Sequence, residues 1–288
     1  MAPQPSPAAS VLSEVEMLGF TAHPGTLEDY LALIARSIRE SASSTVFYHN
    51  LHSLYSYYSD ASLRAHYSGK TVLVDGMPII WLMQLFGLRS LSREHRLTYV
   101  DFIFPMMELA RDNDWQVFHV GQNAEVQARA MNIIREKVPG IRIAGHDGYF
   151  DQSTDSAESL AVIDEMNRLD TKLLLVGFGT PRQEAWVAAH RHRITAPAVF
   201  TCGACMEYVA GEVRTPPRWM GRLGLEWSFR LLENPRRFAF RYLVEPVLLG
   251  FHFLGNGLKR GFRARVEHPA IPPADHGEND SNRPNSPA

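Results

Sequence analysis

One unit recurs along this chain. A short apolar, often β-branched run stops at a glycine or polar residue, and a helical stretch follows. The expected strands are Thr45–Tyr48, Thr71–Val74, Trp115–Val120, Ile141–Ala144, Lys172–Val176 and Ala198–Thr201. The expected helices are Leu51–Ser59, Pro78–Phe86, about Ala124–Lys137, and Ser159–Arg168. Buried strands that alternate with helices specify an α/β fold: a Rossmann-like parallel sheet with helices on both faces. In such sheets the ligand sits beyond the carboxyl ends of the strands. The function is therefore to be sought in Asp75-Gly76, Gly121-Gln122-Asn123, Gly177-Phe178-Gly179 and Cys202-Gly203.

Charge narrows the class of partner. The 288 residues carry a formal net charge of −2, which argues against a nucleic-acid binder. The balance is uneven, however: from Glu212 to Arg265 eleven basic residues face four acidic ones. That segment is expected to meet something anionic. In it, Asn234-Pro235 starts a helix carrying Arg237 and Arg241 at i, i+4, and Pro246 is expected to end or kink that helix. Apolar residues from Val247 to Leu254 follow, flanked by Lys259, Arg260, Arg263 and Arg265. This pattern has two readings, an interfacial element for anionic lipid or a core-packing helix with a solvated basic edge. Its apolar patch could equally serve a homo-oligomer. No signal peptide and no spanning helix of about 20 residues is expected. The expected organisation is a flexible segment 1–22, an α/β catalytic domain 23–224, a basic amphipathic appendage 225–266 and a disordered tail 267–288.

The loops offer chemistry. Gly177 to Glu184 reads as a helix start, with Thr180 as N-cap, Pro181 in the first turn and Gln183 at a capping-box position. Its glycines and helix N-terminus suit a phosphate, although an ordinary capped turn fits as well. A dinucleotide fingerprint would need a third glycine where Arg182 stands. Asp75, at a strand's carboxyl end, is placed for a general base or, alternatively, for a capped Asp-Gly turn. Cys202 and Cys205 have thioredoxin spacing but read as two buried small side chains. Asp112-Asn113-Asp114 precedes a strand and reads as a surface turn. His190 and His192 are expected to be solvated, and the twelve histidines show no metal-ligand spacing.

Taken in order, these segments resemble the WecG/TagA/CpsF family, glycosyltransferase family 26. The resemblance runs from about Asn50 to Tyr242. It rests on Asp75-Gly76-x-Pro78, Asp147-Gly148-Tyr149-Phe150 and Val176-Gly177-x-Gly179-x-Pro181-x-Gln183-Glu184. Further along it rests on Ala210-Gly211-Glu212-Val213-Arg214-x-Pro216, Gly224-Leu225-Glu226-Trp227 and Arg230-Leu231-Leu232-x-x-Pro235-x-Arg237. The resemblance implies a bacterial, metal-independent inverting glycosyltransferase that needs no cofactor. It would move a sugar from a UDP-sugar to a polyprenyl-diphosphate-linked saccharide, in surface or extracellular polysaccharide synthesis. It would work as a peripheral protein at the cytoplasmic face of the plasma membrane. By matching position Asp75 would be the base. Asn50, Asp101, Gly177, Gly179, Gln183 and Arg214 would bind substrate, with Arg230, Arg237 and Arg241 meeting the diphosphate.

Three departures bear on the donor sugar. Tyr48-His49-Asn50 stands for the usual Thr-Pro-Asn, and Tyr99 stands for the glycine of Arg-x-x-Gly-x-Asp. Cys202 and Cys205 occupy a loop that is usually glycine-rich. An N-acetylmannosamine-type, hexose or uronic acid donor is open on these residues. Two other functions are kept beside the transferase. One is another nucleotide-dependent α/β enzyme, such as an NAD-dependent oxidoreductase; the other is a non-catalytic membrane-associated assembly protein whose donor pocket is blocked.

Overall fold

The computed structural model describes residues 12–214, 220 and 225–267, with the side chains of Glu226 and Arg237 outside that description. Its centre is a parallel sheet of β3 (Ser44–His49), β4 (Thr71–Val74), β5 (Val117–Gly121), β6 (Ile143–His146), β7 (Leu173–Gly177) and β8 (Ala198–Thr201). Their order across the sheet is β4-β3-β8-β7-β5-β6. All but the edge strand β6 are buried along their whole length, which is why they read as continuous apolar runs.

Side chains alternate between the two faces of a strand, and the core divides accordingly. Val46, Leu73, Val117, Leu175 and Phe200 meet α1 (Leu27–Arg39), α5 (Tyr99–Asp112) and α6 (Ala124–Lys137). Their chain neighbours Phe47, Val72, Phe118, Leu174 and Val199 meet α2 (Leu51–Ser59), α4 (Met77–Leu85), α7 (Ala157–Arg168) and α8 (Arg182–His190). The short α3 (Ala61–His66) links α2 to β4.

The expectation of a flexible segment through residue 22 is corrected for residues 14–22. Here β1 (Glu14–Met17) and β2 (Phe20–Ala22) form an antiparallel pair. Val15, Met17, Phe20 and Ala22 are buried, a period-2 pattern that supplies the driving force. On its other side β1 pairs antiparallel with β9 (Arg265–Glu267), opposing Val15 to Val266. The expected tail 267–288 is corrected at its first residue, since Glu267 closes β9; residues 268–288, like residues 1–11, lie outside the described residues.

After α9 (Cys205–Val209), the basic segment forms α10 (Glu226–Glu233), α11 (Pro235–Ala239), a π-helical turn at Phe240–Val244, and α12 (Glu245–Arg260). Pro246 stands in the first turn of α12, so it starts a helix where the sequence suggested an end. One face of α12 packs on α2: Leu249 is buried, His252 stacks on Tyr58 at 5.5 Å, and Glu245 reaches His52 Nδ1 at 2.8 Å. The opposite face exposes Val247, Phe251, Leu254 and Leu258, at i, i+4, i+7 and i+11. No helix among the described residues is long and apolar enough to cross a membrane.

Candidate functional site

A cavity of about 750 Å³ opens over the carboxyl ends of the sheet, and loops after all six strands reach it. Asp75 lines it directly after β4, and its backbone N–H donates to His49 O at 2.8 Å. Asn50 lines it after β3 and caps α2. Its Oδ1 accepts from Ser53 N at 3.0 Å while its own N–H donates to Ser53 Oγ at 2.7 Å. That reciprocal cap fixes the amide, and Asn50 Nδ2 donates to Asp75 Oδ2 at 3.2 Å. A helix cap thus orients the carboxylate expected to act as the base.

Behind the cavity the loops are tied together. Gly121 and Gly177 lie on adjacent strands so close that a Cβ on Gly121 would meet the Gly177 backbone at 2.7 Å. Gln122 Nε2 bridges Gly177 O and Gly203 O at 3.1 and 2.9 Å. Gly179, at φ +79°, has nothing within 4 Å of the place a Cβ would occupy, so its backbone faces open space in the cavity wall. The helix after this loop starts at Arg182, one residue later than the sequence suggests, with Pro181 at its N-cap.

Gln183 is not brought into the cavity. It is fully buried, and its Oε1 accepts from Gly179 N at 3.2 Å and from Gly203 N at 3.1 Å. Its Nε2 donates to Glu184 Oε1 at 2.8 Å. Its place is one layer behind the ligand surface, holding the β7 and β8 loops in register. Thr180 does face the cavity and donates to the same Glu184 oxygen at 3.1 Å. Burial pushes the Glu184 carboxyl up to about 7, against hydrogen bonds from Gln183, the backbone and Thr180.

The arginines divide. Arg230 and Arg241 line the cavity, and Arg230 lies over the Tyr208 ring at 5.1 Å. Burial opposes the charge on Arg230, but Tyr208, Tyr242 and Asp75 outweigh it and leave the guanidinium more basic than usual. The same neighbourhood acts on Tyr208, which burial raises to about 12 while Arg230 and Arg241 lower it and Tyr242 and Asp75 raise it. Asp75, Tyr208, Arg230 and Arg241 therefore share one electrostatic site. Arg214 is left outside: its side chain is 83% exposed, and its Nε stands 4.0 Å from Glu233. The side chain of Arg237 lies outside the described residues.

Asp101 lines the cavity, held by Arg96 Nη2 at 3.0 Å and Thr98 Oγ1 at 3.1 Å. Tyr48 and Tyr99 line the wall edge to face, 6.3 Å apart, and the cavity stays open beside them. The blocked pocket that a non-catalytic assembly protein would show is therefore absent among the described residues. Cys202 and Cys205 are buried free thiols at the cavity floor; burial raises both, Cys205 to about 12. His190, expected to be solvated, is buried between Trp186 O at 2.9 Å and Thr154 O at 2.8 Å.

Sequence reasoning did not select Tyr208, Gln122, Arg96 or His52 as site residues, although all four line the cavity. Gln122 stands in the Gly121–Asn123 loop that the sequence marks as a place for function, without a role of its own. Tyr208 had no such signal, because only the fold lays the α9 region under Arg230.

A parallel α/β sheet with a polar cavity at its carboxyl edge, lined by carboxylates and converging arginines, defines a protein of the Rossmann-like ligand-binding class. The profile of the Glycosyl transferase WecG/TagA/CpsF family matches residues 15–263, and the chain belongs to that family. A relative from Bacillus subtilis (strain 168) is 29% identical over 171 residues, 59% of this chain and 63% of the relative. Another, from Staphylococcus aureus (strain MW2), is 27% identical over 143 residues, 50% of this chain and 54% of the relative. Both are named N-acetylglucosaminyldiphosphoundecaprenol N-acetyl-beta-D-mannosaminyltransferase. The match spans less than two thirds of either relative's length.

Proposed function

We propose that this protein is an inverting glycosyltransferase that moves a sugar from a UDP-sugar to a polyprenyl-diphosphate-linked saccharide in bacterial surface or extracellular polysaccharide synthesis. The observation that carries this reading is the Asn50–Asp75 pair at 3.2 Å, in the same cavity as Arg230 and Arg241. Asp75 takes the proton of the acceptor hydroxyl, and the resulting oxygen attacks the anomeric carbon from the face opposite the nucleotide. The bond from that carbon to the diphosphate oxygen breaks, and UDP leaves with the electron pair. Arg230 and Arg241 meet the charge that develops on the diphosphate, so no metal is needed for that task. Asp101 and the Gly177–Gly179 backbone, which line the same cavity, bind substrate.

In this reading residues 225–266 are an appendage that completes the site and contacts the anionic inner face of the plasma membrane. Support comes from the apolar outer face of α12 and the basic residues beside it. The named relatives' activity agrees with a lipid-linked acceptor. The donor is an N-acetylhexosamine, hexose or uronic acid nucleotide, with Tyr48 and Tyr99 in the wall beside it.

The test is Asp75→Asn. Sugar transfer to a lipid-linked acceptor should fall by roughly 10²–10⁴-fold, the usual contribution of a general base, with circular dichroism unchanged. A folded variant as fast as wild type sinks the mechanism. UDP should also raise the melting temperature of the wild type by mass action. Stabilisation by NAD(P) with none by UDP would transfer the assignment to an oxidoreductase.

A further inference from the structure

Outside residues 225–266, the exposed large apolar side chains among the described residues are Trp81, Leu85, Val100 and Tyr149. Val100 and Tyr149 belong to the cavity. Trp81 and Leu85 do not, and they stand one turn apart on α4, 45% and 76% exposed. The inner face of this helix, Met77, Ile79, Ile80 and Met83, is buried in the core. The one polar side chain on it, Gln84, is bonded to Leu91 O at 2.7 Å. A helix so apolar on its outer face is unusual for a surface facing water alone.

This outer face runs on into the appendage. Phe86, directly after α4, stacks on Phe262 at 5.9 Å, and Ala264 N donates to Phe86 O at 3.3 Å. The Phe262 ring also lies against α12 at Gly257, where a Cβ would come within 2.0 Å of it. Phe262, itself 46% exposed, thereby links α4 to α12 at Gly257, a buried position of that helix. Exposed Arg89, Arg263 and Arg265 border the junction, while Arg260 is partly neutralised by Glu16 at 3.3 Å.

We propose that α4 is a second membrane-seating element, which buries Trp81 and Leu85 in an anionic bilayer beside the stripe of α12. The proposal rests on the reading of residues 225–266 as membrane-facing. Apolar side chains bordered by arginines fit the acyl boundary and the anionic headgroups respectively. The consequence concerns the reaction. Only Gly76 separates Asp75 from α4, and the nine residues of this helix span about 13 Å at 1.5 Å each. A seated α4 would hold the end of β4, and with it the carboxylate, at a set height above the lipid from which the acceptor diphosphate emerges.

Trp81 is its own reporter. In a full-length Trp219→Phe, Trp227→Phe background the remaining Trp115 and Trp186 are buried. With vesicles of phosphatidylglycerol carrying brominated acyl chains, Trp81 emission should shift to the blue and be quenched. Adding Trp81→Phe to that background should abolish the response, and Leu85→Glu should weaken vesicle binding about tenfold or more. If the protein sediments with these vesicles but Trp81 does not respond, α4 lies outside the membrane and only the appendage reading stands. If nothing sediments, the appendage reading fails as well. A dimer in sedimentation equilibrium that Leu85→Glu dissociates would assign this face to a second copy of the chain and overturn the proposal.

Discussion

Replacing Gln183 by methionine separates a residue that binds substrate from one that holds the loops on which substrate rests. Methionine keeps the length and apolar volume of the side chain but removes both polar atoms. Two backbone donors then lose their acceptor, Gly203 N at 3.1 Å and Gly179 N at 3.2 Å. A buried polar group left without its partner costs about 1–3 kcal/mol. The Gly203 bond is fully enclosed and belongs near the upper figure, whereas the Gly179 bond is part-buried and belongs near the lower one. The expected loss is therefore roughly 4 kcal/mol, a large share of the ~5–15 kcal/mol typical of a folded protein. Urea unfolding followed by far-UV circular dichroism at pH 7 measures it; the midpoint should fall with an unchanged slope. A loss below about 1 kcal/mol with a raised KM for the donor would refute the reasoning and return Gln183 to the ligand surface.

Two further outcomes follow from the same site. The folded-state pKa of Glu184 is raised from 4.5 to about 7, so the folded protein binds more protons between those values than the unfolded chain does. Its contribution is fully present below pH 4.5 and lost as pH rises through 7; Glu184→Gln should remove that slope and gain on the order of 3 kcal/mol at pH 8, by urea titration across pH. Arg230→Gln should lower kcat/KM by about 10–150-fold through loss of a charge-assisted contact. Arg230→Lys should recover little, because an ammonium group does not reproduce the guanidinium's donor fork over the Tyr208 ring; a lysine variant with wild-type kcat/KM would show that point charge alone suffices.

The sheet was legible because buried parallel strands are short and continuously apolar: Thr71–Val74 and Ala198–Thr201 end where the sequence reading put them. Neither α1 nor α5 was read, and α5 carries Tyr99 and Asp101 into the cavity. Pro105 inside α5 and the aromatic and β-branched residues around it blur the helical period. The strands β1, β2 and β9 escaped notice for a different reason. Each has only three or four residues, and the pairing of β1 with β9 joins positions some 250 residues apart, which no local pattern encodes. At the site, the place of Asp75 in the cavity is legible from its position after a strand, and that of Asn50 only from the family resemblance. Gln183 was misplaced because a motif marks that a residue matters, and only the fold shows which way its side chain points. The same holds for Arg214, which belongs to a strong motif yet stands outside the cavity.

The pairing of β9 with β1 also sets an order of events at the ribosome. The first strand is made early, and its partner on that edge arrives only when residues 265–267 emerge. At about 5–20 residues per second, the interval is roughly 10–50 s. Once β8 has emerged at residues 198–201, the six-strand sheet can form with Asn50 and Asp75 in place, while the helices bearing Arg230 and Arg241 are still unfastened at their far end. A nascent chain therefore holds the proposed base before it holds the proposed anion clamp. A product cut short before residue 265 would keep a folded sheet without the strand that anchors the clamp.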